Sequence, residues 1–156
     1  MLIVEIKTLR VETDHKIEKL SDKEFVLMNP LKKQVIANDA PSPAGPYSQA
    51  IIADKFVFVA GQRPQDPVTL TLPDNIKDQT RQCIKNIEAI LLKAGSSLEN
   101  IVRSNVYLSD IKYFNEMNEV YSELMPEPYP CRATIGVQLR NIMVEIEVIA
   151  LLNDAC

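Results

Sequence analysis

Histidine is almost missing from this chain. The 156 residues include one, His15, in a highly charged N-terminal stretch. A Ser-His-Asp triad or a histidine-bearing zinc site therefore has a single candidate in poor surroundings. The four glycines, Gly45, Gly61, Gly95 and Gly136, never cluster, which removes the phosphate-cradling loop and the dinucleotide fingerprint. Three cysteines, Cys83, Cys131 and Cys156, lie far apart with no C-x-x-C pair. That excludes a disulfide framework and a zinc knuckle, and points to a reducing, cytoplasmic compartment. Basic tracts are absent: 17 basic against 21 acidic residues give a net charge of −4. A protein that neutralises many phosphates shows a positive stripe, so nucleic acid is disfavoured as a partner. No apolar run approaches the roughly 18–20 residues that span a bilayer, so no membrane is expected. Catalysis has to run on carboxylates, arginines, tyrosines, hydroxyls, backbone groups and water, with no metal or cofactor expected.

The chain does have the means to build a core. It is 46% hydrophobic and 24% charged, the composition of one globular domain. Residues 1–27 stand apart: after Leu2-Ile3-Val4, a candidate edge strand, charge dominates, and the segment reads as an extension outside the core. The apolar start is too short for a signal peptide and the acids argue against a transit peptide. Met28 is a natural start for a domain over residues 28–156. Residues 33–37 form a first strand candidate, followed by a loop fixed by Pro41, Pro43 and Pro46. Residues 48–52 and 56–60 read as a hairpin turning at Asp54-Lys55. A helix begins at Asp74 or Asn75 and carries Ile76, Cys83, Ile84, Ile87, Ile90, Leu91 and Ala94 at helical spacing before stopping at Gly95. Strand 101–108, helix 112–124, and strands 131–138 and 143–151 complete the order β-β-β-α-β-α-β-β. Two helices on one face of a mixed six-stranded sheet make an α+β sandwich. The other face is left for another subunit.

One charge constellation stands out. In Val144-Glu145-Ile146-Glu147-Val148 the two glutamates share one face of a strand, a costly arrangement unless they are paired, hydrated or used. Arg132 lies on the preceding strand. An antiparallel pairing of these consecutive strands brings it close to the glutamates. It is then either a structural cross-strand ion pair or a guanidinium clamp for a small carboxylate beside a water-activating glutamate. Tyr47 either anchors its loop or lines a pocket. Asn118 either faces solvent or tethers its helix to a loop. Cys83 and Cys131 read as core thiols rather than nucleophiles, and Arg63 as a rim charge.

Five motifs in register now carry a resemblance over residues 31–151. They are Ala40-Pro41 with Gly45-Pro46-Tyr47-Ser48-Gln49, then Gly61-Gln62, Asn118-Glu119-Val120-Tyr121, Pro130-x-Arg132 and Glu145-Ile146-Glu147. Together they resemble the RidA family, the YjgF-type reactive-intermediate deaminases also known as L-PSP endoribonucleases. The resemblance implies a chorismate-mutase-like fold and a homotrimer with ligand pockets between subunits. It implies hydrolysis of 2-imino acids and their enamine tautomers, of the 2-iminobutanoate and 2-iminopropanoate type, to 2-oxo acids and ammonia. Carried over by motif, Arg132 binds the substrate carboxylate and Glu145 activates water. Tyr47 and Asn118 line the pocket, and backbone groups of Ala133 and Thr134 hold water or substrate. An imine carbon is already electrophilic, so positioning and proton transfer suffice. Two positions depart from the family pattern: Ala60 where serine is common, and Arg63 where an apolar residue is common. The alternatives are an endoribonuclease acting on single-stranded RNA and a noncatalytic metabolite-binding trimer.

Overall fold

The structure is a computed structural model and describes residues 31–153. The expected extension over residues 1–27, with its edge strand and His15, lies outside the described residues, as does Cys156. Six strands, β1 (Lys33–Val35), β2 (Ala50–Ala53), β3 (Phe56–Gln62), β4 (Ile101–Leu108), β5 (Cys131–Gly136) and β6 (Val144–Leu151), form one sheet in the order β1-β2-β3-β6-β4-β5. Two helices, α1 (Ile76–Ala94) and α2 (Phe114–Leu124), follow β3 and β4. The mixed α+β sandwich with two helices is therefore as expected.

Local chemistry sets the helix limits. Asn75 caps α1, its side-chain oxygen accepting from Asp78 N at 2.9 Å. Gly95 ends it in the left-handed region at φ 83°, where the backbone turns without a Cβ penalty. A 3-10 turn at Ile111–Tyr113, capped by the Asp110 carboxylate, leads into α2, so the regular helix starts two residues later than its pattern suggests. β5 likewise stops at Gly136, short of the expected Gln138.

The sheet's topology corrects one expectation. β5 pairs with β4, in parallel, with Ser104 opposite Arg132 and Val106 opposite Thr134. β6 pairs antiparallel with both β3 and β4, so β4 separates β5 from β6. The reason is the crossover: α2 carries the chain back to the starting end of β4, and a strand entered after such a helix runs parallel to the one before it. The β3-α1-β4 connection moves across the sheet in the same direction, so two right-handed crossovers put both helices on one face.

Alternation along the strands divides that face from the other. Val57 and Val59, Val106 and Leu108, and Val144, Ile146, Val148 and Ala150 are buried in one cluster with Ile84, Ile87, Ile90 and Leu91 of α1 and Met117 and Tyr121 of α2. Each fully buried Ile, Leu or Val contributes about 1.5–3 kcal/mol from burial. Exposed pairs Lys77–Glu119 (2.6 Å) and Arg81–Glu123 (2.8 Å) tie α1 to α2, adding little energy but fixing alignment. On the open face Ile51 lies beside Phe58 and Phe58 beside Ile149. Phe58 is 44% exposed.

Candidate active site

The proline-rich loop before β2 is held by one buried amide. Gln49 accepts from Ala37 N (2.8 Å) and donates to the carbonyls of Ala37, Ala40 and Pro41 at 2.9–3.2 Å. This supplies the backbone partners that prolines cannot. At the end of that loop the Tyr47 hydroxyl accepts from Ala44 N at 3.1 Å. Tyr47 thus anchors its loop and, half exposed, also forms one wall of a cleft.

The cleft has a volume of about 600 Å³ and is shared by Tyr47, Gly61, Arg63, Leu139, Arg140 and Glu145, among others. Glu145 enters it from the first turn of β6's alternation. Its side chain lies directly on Gly61, in the irregular register between Val59 and Gln62. A Cβ on Gly61 would run into the carboxylate Oε1 and come within 3.0 Å of its Cδ and 3.3 Å of its Cγ. Burial raises the Glu145 carboxyl above the usual carboxylate range; Arg63 opposes the rise and neighbouring Glu147 adds to it. The result is a carboxylate with increased proton affinity, half open to solvent. Beneath it the Cys83 thiol is fully buried, hydrogen-bonded to Gln62 O at 3.2 Å. Burial, and then the Glu145 charge, push that thiol well above its ordinary value, which keeps it protonated and inert. Cys83 is a core thiol, as expected. Cys131, also expected in the core, is exposed because it opens an edge strand.

Arg132 is elsewhere. It shares the helix face with Ser104 and Val148, whereas Glu145 and Glu147 point to the open face two strands away. Its Nη2 donates to Asn118 Oδ1 at 2.8 Å, and its guanidinium carbon lies 4.5 Å from the Tyr121 ring centre and 5.8 Å from that of Phe114. Asn118 is therefore neither solvent-facing nor tied to a loop; it orients Arg132. Thr134 shares this side, its buried hydroxyl without a hydrogen-bond partner among the described residues, while Ala133 faces the other way. The expected contact between Arg132 and the glutamates does not form within the chain. Glu147 accepts instead from Asn105 Nδ2 (2.8 Å) and Tyr107 Oη (3.0 Å) on β4.

The six expected site residues thus fall into two groups: Tyr47 with Glu145 in the cleft, and Arg132 with Asn118 and Thr134 under α2, Ala133 apart from both. Sequence reasoning missed two partners. Asn105 and Tyr107 alternate with apolar residues on β4, a pattern that places them on the glutamates' face. Arg63, expected as a rim charge, sits two residues beyond the glycine that receives Glu145 and acts on that carboxylate.

A mixed six-stranded sheet in this order, with two helices, is the chorismate-mutase-like architecture of RidA-type proteins. The profile of the family described as Endoribonuclease L-PSP matches residues 37–152, and the chain belongs to that family. It is 46% identical over 123 residues to a RutC family protein of Pyrococcus horikoshii, covering 77% of this chain and 98% of that one. Among solved structures, RidA from the Antarctic bacterium Psychrobacter is 38% identical with a TM-score of 0.74, covering 77% of this chain and 99% of that one. TdcF of E. coli, solved with bound serine, is 33% identical with a TM-score of 0.73 over 76% and 98%.

Proposed function

We propose that this protein hydrolyses 2-imino acids and their enamine tautomers to 2-oxo acids and ammonia, as a homotrimer whose neighbouring chains complete each cleft. The observation that carries the reading is Glu145: a half-buried carboxylate of raised proton affinity in a cleft roomy enough for a small acid. A general base gains from that shift, since its proton affinity lies nearer that of the groups it serves. Glu145 takes a proton from water as the oxygen bonds to the imine carbon. It passes that proton to the imine nitrogen to give the carbinolamine, then moves the carbinolamine hydroxyl proton to the same nitrogen as the C–N bond breaks, releasing ammonia and leaving the carbonyl. Arg132, oriented by Asn118, supplies the planar fork for the substrate carboxylate. Because Arg132 and Glu145 occupy opposite faces of one sheet, the arginine serves the cleft of an adjacent copy. The related TdcF, solved with serine, supports a ligand carrying a carboxylate beside a nitrogen.

The test pairs Glu145→Gln with Arg132→Lys. The first keeps the shape of the site but cannot accept a proton, so it binds 2-oxobutanoate while hydrolysing 2-iminobutanoate roughly 10²–10⁴-fold more slowly. The second weakens saturation and turnover together. A Glu145→Gln protein that binds the oxo acid and hydrolyses at the original rate overturns the reading.

A further inference from the structure

Two guanidinium groups that the proposed reaction does not use border the Glu145 cleft. Arg63 leaves the end of β3 on a fixed backbone: its own carbonyl and that of Gln65 each accept from Asn86 Nδ2 at 2.9 Å, and Asn86 is a buried residue of α1. From there the side chain borders the cleft, its Nη2 reaching the carbonyl of Arg140 at 3.4 Å. Arg140 also lines the cleft, from the connection between β5 and β6. The ion pairs among the described residues are Lys77–Glu119, Arg81–Glu123 and Lys112–Asp110, so neither arginine is engaged in a direct ion pair there, and Arg63 acts on Glu145 only at longer range. Among the described residues that line the cleft, Glu145 is the one carboxylate and Arg63 and Arg140 are the two guanidinium groups. In a chain of net charge −4 the cleft is locally cationic.

A cleft built only for an uncharged side chain gains nothing from such a wall. Arginine on a fixed backbone binds a carboxylate through two parallel hydrogen bonds and at lower entropic cost than a loose lysine. Leu139 and Ile142 also line the cleft and offer apolar surface to intervening methylenes. We infer that the cleft selects 2-imino acids carrying a second, distal carboxylate, with Arg63 as the specificity-determining residue and Arg140 supporting it. This rests on the imine-hydrolysis reading above, in which Arg132 of a neighbouring copy takes the first carboxylate. The reaction itself is unchanged; Arg63 holds the far end of the substrate and so fixes the imine carbon relative to Glu145.

The experiment compares 2-iminoglutarate with 2-iminobutanoate, generated by amino-acid oxidases from glutamate and 2-aminobutanoate, on the wild-type protein, Arg63→Leu and Arg63→Lys. Wild type is expected to favour the dicarboxylate in kcat/KM. Arg63→Leu lowers the dicarboxylate-to-monocarboxylate ratio roughly 10–100-fold, the range of a hydrogen bond to a charged group, and Arg63→Lys keeps part of it. Thermal melts identify any variant that fails to fold, and Arg140→Ala then serves as the second variant, with a smaller fall in the same ratio. Calorimetric titration with 2-oxoglutarate and 2-oxobutanoate reads the same preference without turnover. Hydrolysis of both imines with a ratio indifferent to Arg63 overturns this inference and leaves the reaction standing. Tight binding of 2-oxoglutarate that is lost in Arg63→Leu, with neither imine hydrolysed, supports the selectivity and overturns the reaction. Equal affinity for the two oxo acids in wild type overturns the selectivity outright.

Discussion

Gly61 and Glu145 fit each other sterically: the carboxylate occupies the space in which any other residue at position 61 would put its Cβ. The obstacle is the free end of a flexible side chain, so Gly61→Ala is expected to fold, with a stability loss of about 1 kcal/mol or less. The displaced carboxylate should nonetheless cost roughly 10–100-fold in imine hydrolysis; a melt and a rate on one sample check both. The raised proton affinity of Glu145 also has a definite sign in stability. The folded state holds this proton more tightly than the unfolded chain, so ionisation weakens the fold as pH rises from the ordinary value of 4.5. Glu145→Gln removes that penalty. It should melt at or above wild type at pH 7, with the gap closing as pH falls toward 4.5, as scanning calorimetry at several pH values would register.

At the scale of elements, single buried amides do much of the positioning. Gln49 serves four backbone groups of the loop that carries Tyr47, and Asn86 serves two behind Arg63. Alanine at either position strands backbone groups away from water, at about 1–3 kcal/mol. Denaturant melts should show both losses, with Gln49→Ala the larger because more partners are orphaned. Elements governed by neighbours in the sequence were legible: α1 has its cap at Asn75, its stop at Gly95 and its apolar spacing within one stretch, and β4 runs over the expected residues 101–108. The partner of β5 was not legible, because pairing is decided by the crossover of α2 rather than by anything within residues 131–136. For the same reason Tyr47 and Glu145 could be named as candidates, while the distance between Arg132 and Glu145 could not be judged.

For the whole molecule, the sheet face opposite the helices sets the expectation. Ile51, Phe58 and Ile149 form an apolar row there by register. Glu147 is already held by Asn105 and Tyr107, so burying this face leaves its carboxylate hydrogen-bonded. Such a face suits contact with copies of the same chain. Light scattering should give three times the 17.6 kDa chain mass, and Phe58→Asp should lower that mass while the helix-side core stays folded by circular dichroism. A monomer at micromolar concentration would defeat the trimer and the shared cleft together.

Placing Arg132 and Glu145 on opposite faces of one sheet has a genetic corollary. When a cleft draws its base from one chain and its clamp from the next, two defective chains can repair each other. Arg132→Ala and Glu145→Gln subunits, each inactive alone, should regain about one working cleft in four when mixed at random in equal amounts around a ring. Activity would then return upon co-expression, or upon refolding a blend, and not upon combining preassembled rings that exchange slowly. The unit of inheritance for this chemistry would be the contact between chains, and a lesion on either side of that contact would be recessive to its complement.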